Sequence, residues 1–144
     1  MNLLGLDIGG RRIGVAVSRG SNIIATALAT IEYDDEADAL ARLAAIIKAE
    51  KIGIVVFGVP VDQTGVQEEK VRAFVAKLKP LCGAEFAAVD ESFTTRKASA
   101  AMAEMKVKRK KKKRLVDRLA AALILQDYID SRRNGSTKNI GGQR

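Results

Sequence analysis

The chain has no histidine and only one cysteine in 144 residues. Lack of histidine removes every Ser-His-Asp or Cys-His nucleophile and every His-containing zinc site, and Cys82 alone can form neither an internal disulfide nor a Cys-only zinc site. One free thiol fits a reducing compartment. There is also no run of 18 apolar residues, and Asp7 interrupts the stretch 1–10 before it could act as a signal-peptide core. No membrane partner and a cytoplasmic location are therefore expected. The chemistry left to the chain is that of carboxylates, lysines, hydroxyls, or a hard cation bound through oxygen.

Charge is present but unevenly spread. The net charge is +8, and Lys106, Lys108, Arg109, Lys110, Lys111, Lys112, Lys113 and Arg114 carry eight positive charges. Without those eight, 17 basic residues face 17 acidic ones, so the whole excess belongs to one short segment, the pattern of a polyanion-binding element. No aromatic residue is interleaved there, which argues for contact with a nucleic-acid backbone and against base stacking. A solvated loop is the simpler alternative.

At 47% apolar residues the chain is long enough for one domain, read here as residues 1–131. Residues 132–144, rich in Gly, Asn, Ser and Arg, are expected to form a disordered basic tail. Two β-rich runs, 3–8 and 13–18, flank a glycine-containing turn and predict a hairpin. Alternation puts Leu4, Leu6 and Ile8 on one face and Gly5 and Asp7 on the other. In the second run Gly14, Ala16 and Ser18 form a sparse face, which leaves space beside Asp7. A strand is predicted over 23–31 and a helix from the acidic start Asp34, Asp35 and Glu36 to about Glu50. A buried strand over 52–57, a helix over 66–79 and a strand over 85–89 follow. Thr94 or Thr95 is read as the cap of a further helix, and 115–129 as an apolar last helix. A hairpin followed by alternating strands and helices implies an α/β fold, a mixed sheet flanked by helices, with ligands gathered at strand ends.

Three carboxylates stand at the edges of these elements. Asp7 interrupts an apolar strand, where it needs a cation or donors, and Arg12 is a candidate partner. Asp90-Glu91 follows a strand, a position that also suits an ordinary turn. Asp117 shares a helical stripe with Ala120, Ala121, Ile124 and Tyr128, with capping of the first turn as the alternative role. Together Asp7, Glu91 and Asp117 form a candidate oxygen-ligand site for Mg2+ or Mn2+. Two such ions about 4 Å apart would activate water and stabilise the leaving oxygen at phosphorus. Residues 5–12 approach P-loop spacing, but Arg11 stands where Lys is required and no Ser or Thr follows, so that reading is rejected. Arg12 remains a candidate phosphate clamp.

These residues resemble the bacterial YqgF family, also called RuvX-type, over nearly the whole chain. Leu4-Gly5-Leu6-Asp7-Ile8-Gly9 with 12–18 resembles the opening motif, Gly58-Val59-Pro60 with Gly65 the central loop, Asp90-Glu91 with Thr94-Thr95 the third motif, and Val116-Asp117 with Ala120-Ala121 and Ile124-Leu125 the last. The resemblance implies an RNase H-like fold with a five-stranded mixed sheet, catalytic carboxylates at Asp7, Glu91 and Asp117, and maturation of the 5′ end of pre-16S rRNA in ribosome biogenesis. Two positions depart from the family pattern. Arg19 stands where an acidic residue commonly follows the serine, which would alter the surroundings of the site, and Ser92 stands where an arginine commonly follows the glutamate.

The expected function is thus a metal-dependent endonuclease for structured nucleic acid, acting as monomer or homodimer, with ribosomal assembly particles as further partners. Cleavage of four-way DNA junctions is the nearest alternative. A non-catalytic nucleic-acid adaptor is the alternative of another class. An ATP-dependent phosphotransferase would need a duplicated domain, for which the chain is too short.

Overall fold

The computed structural model describes residues 1–21, 24–60, 63–90 and 109–133. Strands β1 (Asn2–Ile8), β2 (Arg12–Ser18) and β3 (Thr26–Glu32) come first, then helix α1 (Glu36–Ala49), β4 (Ile52–Val59), α2 (Val66–Leu78), a 3-10 turn (Lys79–Leu81), β5 (Glu85–Asp90) and the long helix α3 (Arg109–Arg133). The five strands form one sheet in the order β3-β2-β1-β4-β5. β1, β2 and β3 are antiparallel neighbours, whereas β4 and β5 run parallel to β1. The C-terminal ends of β1, β4 and β5 therefore lie at one edge of the sheet.

The hairpin closes where Gly9 N–H donates to the Arg12 carbonyl at 2.9 Å. Tyr33 ties down the same turn, donating its hydroxyl to the Gly9 carbonyl at 2.8 Å and its backbone N–H to that of Arg11 at 3.0 Å. Asp35 caps α1 by accepting from Ala37 N–H, and Glu36 and Asp38 in the first turn complement the helix dipole.

Period-two alternation divides the core between two faces. Leu4, Leu6, Val15, Val55 and Phe57 face Leu43, Ile47, Val71, Phe74 and Leu78 of α1 and α2. Leu3, Ala16, Ile54, Val56 and Val89 face Ala121, Ile124, Leu125 and Ile129 of α3. Strand β4 contributes to both cores, as expected of an apolar run buried on two sides. No helix among the described residues is long and apolar enough to cross a membrane.

Three expectations are revised. The third strand spans 26–32 rather than 23–31. The last helix begins at Arg109, not at 115, so the end of the basic segment is helical. It also continues to Arg133, two residues into the stretch read as a tail. The helix expected after Thr94 or Thr95 falls on 91–108, outside the described residues, as does 134–144.

Candidate active site

Asp7 belongs, by alternation with Leu3 and Gly5, to the sheet face covered by α3. Its Cα partner across the hairpin is Gly14. A Cβ on Gly14 would collide with the backbone carbonyl of Asp117, and one on Gly5 would come within 2.7 Å of Leu125 Cβ and 2.8 Å of the Ala121 carbonyl oxygen. Helix α3 thus rests with its backbone directly on the hairpin and runs antiparallel to β1, with Leu125 and Ala121 over Gly5 and Asp117 over Gly14. The sparse face beside Asp7 is real, but it seats the helix rather than leaving a void. This seating brings Asp7 and Asp117, 110 positions apart in the numbering, to one place on the sheet.

Because α3 starts at Arg109, Asp117 lies in its third turn, and the first turn contains no acidic residue. The dipole-capping role is therefore lost for Asp117. Its carboxylate instead accepts a hydrogen bond from Arg12 Nε, at 2.6 Å to Oδ2. The Asp117 side chain is 18% exposed and that of Arg12 36%, so the pair opens to solvent. Arg12, weighed in the sequence as a partner of Asp7, reaches across to the helix. Asp7 is itself half-buried and has a partner of its own.

The start of α3 is bound to edge strand β3 by residues that sequence reasoning missed. Thr30 donates its hydroxyl to the Arg114 carbonyl at 2.7 Å, and Arg118 Nε donates to Thr30 Oγ1 at 3.3 Å. Arg114 forks onto Glu32 at 2.9 and 3.3 Å, which raises the Arg114 pKa through that hydrogen bond and then through the carboxylate's charge. The sequence gives no signal for the Glu32 contact. Thr30 carries one only in hindsight, as the β3 partner of Gly14.

The other predicted basic residues divide three ways. Lys111 and Lys113 are exposed on the helix. Arg109, Lys110 and Lys112 have helical backbones. Lys106 and Lys108 lie outside the described residues, and so do Glu91 and Ser92. The described chain reaches Asp90 at the end of β5, on the sheet edge where β1 also ends. Among the described residues no three acidic, cysteine or histidine side chains gather as a metal site. Arg19 proves remote from this edge: it follows Ser18, whose partner is Leu3 at the opposite end of β1, and it pairs with Glu50. Its departure from the family pattern leaves the surroundings of Asp7 untouched.

A family described as RuvX, Holliday junction resolvase, matches residues 1–131. The chain belongs to this family. A relative from Thermoanaerobacter pseudethanolicus, named "Putative pre-16S rRNA nuclease", is 37% identical over 138 residues, covering 93% of this chain and 99% of the relative. One of the same name from Roseiflexus sp. is 36% identical, covering 91% and 95%. Among solved structures, T. thermophilus RuvC in complex with a Holliday junction substrate superposes with a TM-score of 0.63 at 14% identity, covering 94% of this chain and 98% of RuvC. The fowlpox virus resolvase with junction DNA gives 0.59 at 11%, covering 92% and 99%. At such identities the likeness concerns the fold, which is RNase H-like in this RuvX-family chain.

Proposed function

We propose that this chain is a divalent-metal-dependent endonuclease whose substrate is the 5′ region of pre-16S rRNA. The observation that carries the reading is the meeting of Asp7 and Asp117 over Gly14, at the sheet edge where ligands of such folds collect. Full-length relatives named for pre-16S rRNA support the substrate.

The donors fit a hard cation, being carboxylate oxygens on a solvent-open edge with no cysteine or histidine gathered beside them among the described residues. Asp7, Asp117 and Glu91 would hold Mg2+ or Mn2+. The alternation of β5 argues against Asp90 as a ligand, because Ala87 and Val89 pack on the α3 side of the sheet while Phe86 and Ala88 pack on the other, the face Asp90 shares. When bound, a pair of such ions supplies Lewis acidity toward water and the leaving oxygen.

The remaining roles fall to the chain's own cations. Lys111 and Lys113 lie one to two turns before Asp117, roughly 6 to 9 Å along the axis at 1.5 Å per residue, where they can neutralise the phosphates of an approaching strand. Arg12 is placed to orient a phosphate next to Asp117. Arg114, forked onto Glu32, contributes to the seating of α3 rather than to nucleic acid. Ribosomal assembly particles carrying precursor rRNA are the partners this reading implies, and the cytoplasm the compartment.

The test is cleavage of an rRNA precursor by purified protein with Mg2+. Asp7→Asn, Glu91→Gln and Asp117→Asn should each abolish it, and three variants that cut like the parent would overturn the assignment. A second reading, four-way DNA junction cleavage, is favoured by the RuvC-like fold seen with such a junction. Competition between the two substrates decides between them, and binding without cleavage of either would point to an adaptor.

A further inference from the structure

We propose that Arg12 is an exchangeable guard on Asp117: it holds the carboxylate when the site is free and passes to a backbone phosphate when nucleic acid arrives, so that phosphate binding and cation binding are coupled through one side chain. The proposal rests on the nuclease reading and adds to it the residue that links the two ligands.

The geometry of the pair carries the argument. A guanidinium and a divalent cation on one carboxylate repel each other, so the 2.6 Å contact to Asp117 Oδ2 competes with any cation bound there. Among the described residues the contact uses Nε alone, one of the five N–H donors of arginine. Arg19 and Arg114, in contrast, each grip both oxygens of their partner. A one-point contact is the easier to give up, and a phosphodiester offers the guanidinium a two-point replacement. The side chain also has room to move. Arg12 is over one-third exposed and lines an open depression of about 540 Å3 shared with Arg11, Glu32, Tyr33, Asp34, Asp35 and Asp38, so no core residue need repack when it leaves. Coupling of this kind is reciprocal: the factor by which a bound phosphate strengthens cation binding equals the factor by which a bound cation strengthens phosphate binding.

The opposite role, a donor that positions Asp117 for the cation, predicts the opposite sign, which makes the test decisive. Mn2+ is titrated by calorimetry into the full chain without nucleic acid, for the parent, Arg12→Gln and Arg12→Lys. The guard role requires Arg12→Gln to bind Mn2+ about tenfold more tightly, within the usual 5- to 150-fold range of coupled sites, while Arg12→Lys, which keeps the charge, stays near the parent. In EDTA, Arg12→Gln should bind a short RNA duplex more weakly, with the salt slope reduced by roughly one. Unchanged or weaker Mn2+ binding by Arg12→Gln, with Arg12→Lys folded and equal to it, overturns the guard. If Asp7→Asn and Asp117→Asn leave the parent's Mn2+ binding intact, the cation does not bind here, and the nuclease reading fails together with the guard.

Discussion

The two ends of strand β2 each carry an arginine paired with a carboxylate on a helix, and the two pairs are built differently. At the far end Arg19 donates from Nε and Nη2 to both oxygens of Glu50, at 2.8 and 3.0 Å. Asn2 closes the same corner, giving its amide to the Glu50 carbonyl at 2.7 Å and accepting from Gly20 N–H at 3.2 Å. The Arg19 hydrogen bond lowers the Glu50 pKa and, in return, raises that of Arg19. Every group there has its partner, and the corner fastens α1 to the sheet. At the near end Arg12 touches one oxygen of Asp117 from one nitrogen. The same chemical pair serves as a fastening where its bonds are saturated and, on the reading proposed above, as a working site where they are not.

This contrast can be broken in several ways, starting with the largest effect. Asp117→Asn should cut cleavage at least about 100-fold, since even residues standing behind a metal ligand cost roughly 10- to 100-fold. It should cost no more than about 1 kcal/mol of stability, as a solvent-open pair does. Single-turnover cleavage and urea unfolding of the same preparation check both halves.

Gly14→Ala acts the other way round. It should destabilise by about 1–3 kcal/mol or more in denaturant unfolding, because the methyl group meets the backbone of α3 and no flexible side chain can yield. Gly10→Ala, four residues away in the open turn, should stay within about 0.5 kcal/mol of the parent. In nucleic-acid binding, replacing Lys110 to Lys113 by Gln should flatten log affinity against log salt by roughly one unit per lost contact. Arg114→Gln should leave that slope nearly unchanged, because its guanidinium is already committed to Glu32.

The smallest effect belongs to the far corner. With its folded pKa depressed, Glu50 contributes stability that is present above its unfolded pKa and lost as pH falls through the folded value. Arg19→Gln should thus lower Tm slightly at pH 7 and not at all once the solution is acidified below that range. The pair is too exposed for more.

Much of this was legible from residue order. The hairpin, α1, α2, β4 and β5 all declare themselves through alternation, helical stripes and Gly or Pro boundaries, and the motifs resembling the RuvX family pointed to Asp7 and Asp117. The start of α3 did not. A run of lysines and arginines reads as a solvated segment because like charges one turn apart repel, yet these residues are good helix formers, and the ties of Arg114 to Glu32 and Thr30 hold the first turns against the sheet. Those ties link positions more than 80 apart, which no local pattern displays. Boundaries of β3 were equally hidden, since an edge strand with one partner has weak alternation of its own.

Seating a helix on bare glycine has one more consequence. Where side chains separate two elements, a misfit can be absorbed by rotating or trimming one of them, and second-site changes can restore what a first one spoiled. At Gly14 there is no such intermediate layer between β2 and α3. The approach of α3 to Gly14 is set by main-chain atoms, so a substitution there has no nearby remedy, and the spacing of strand and helix is written into the backbone.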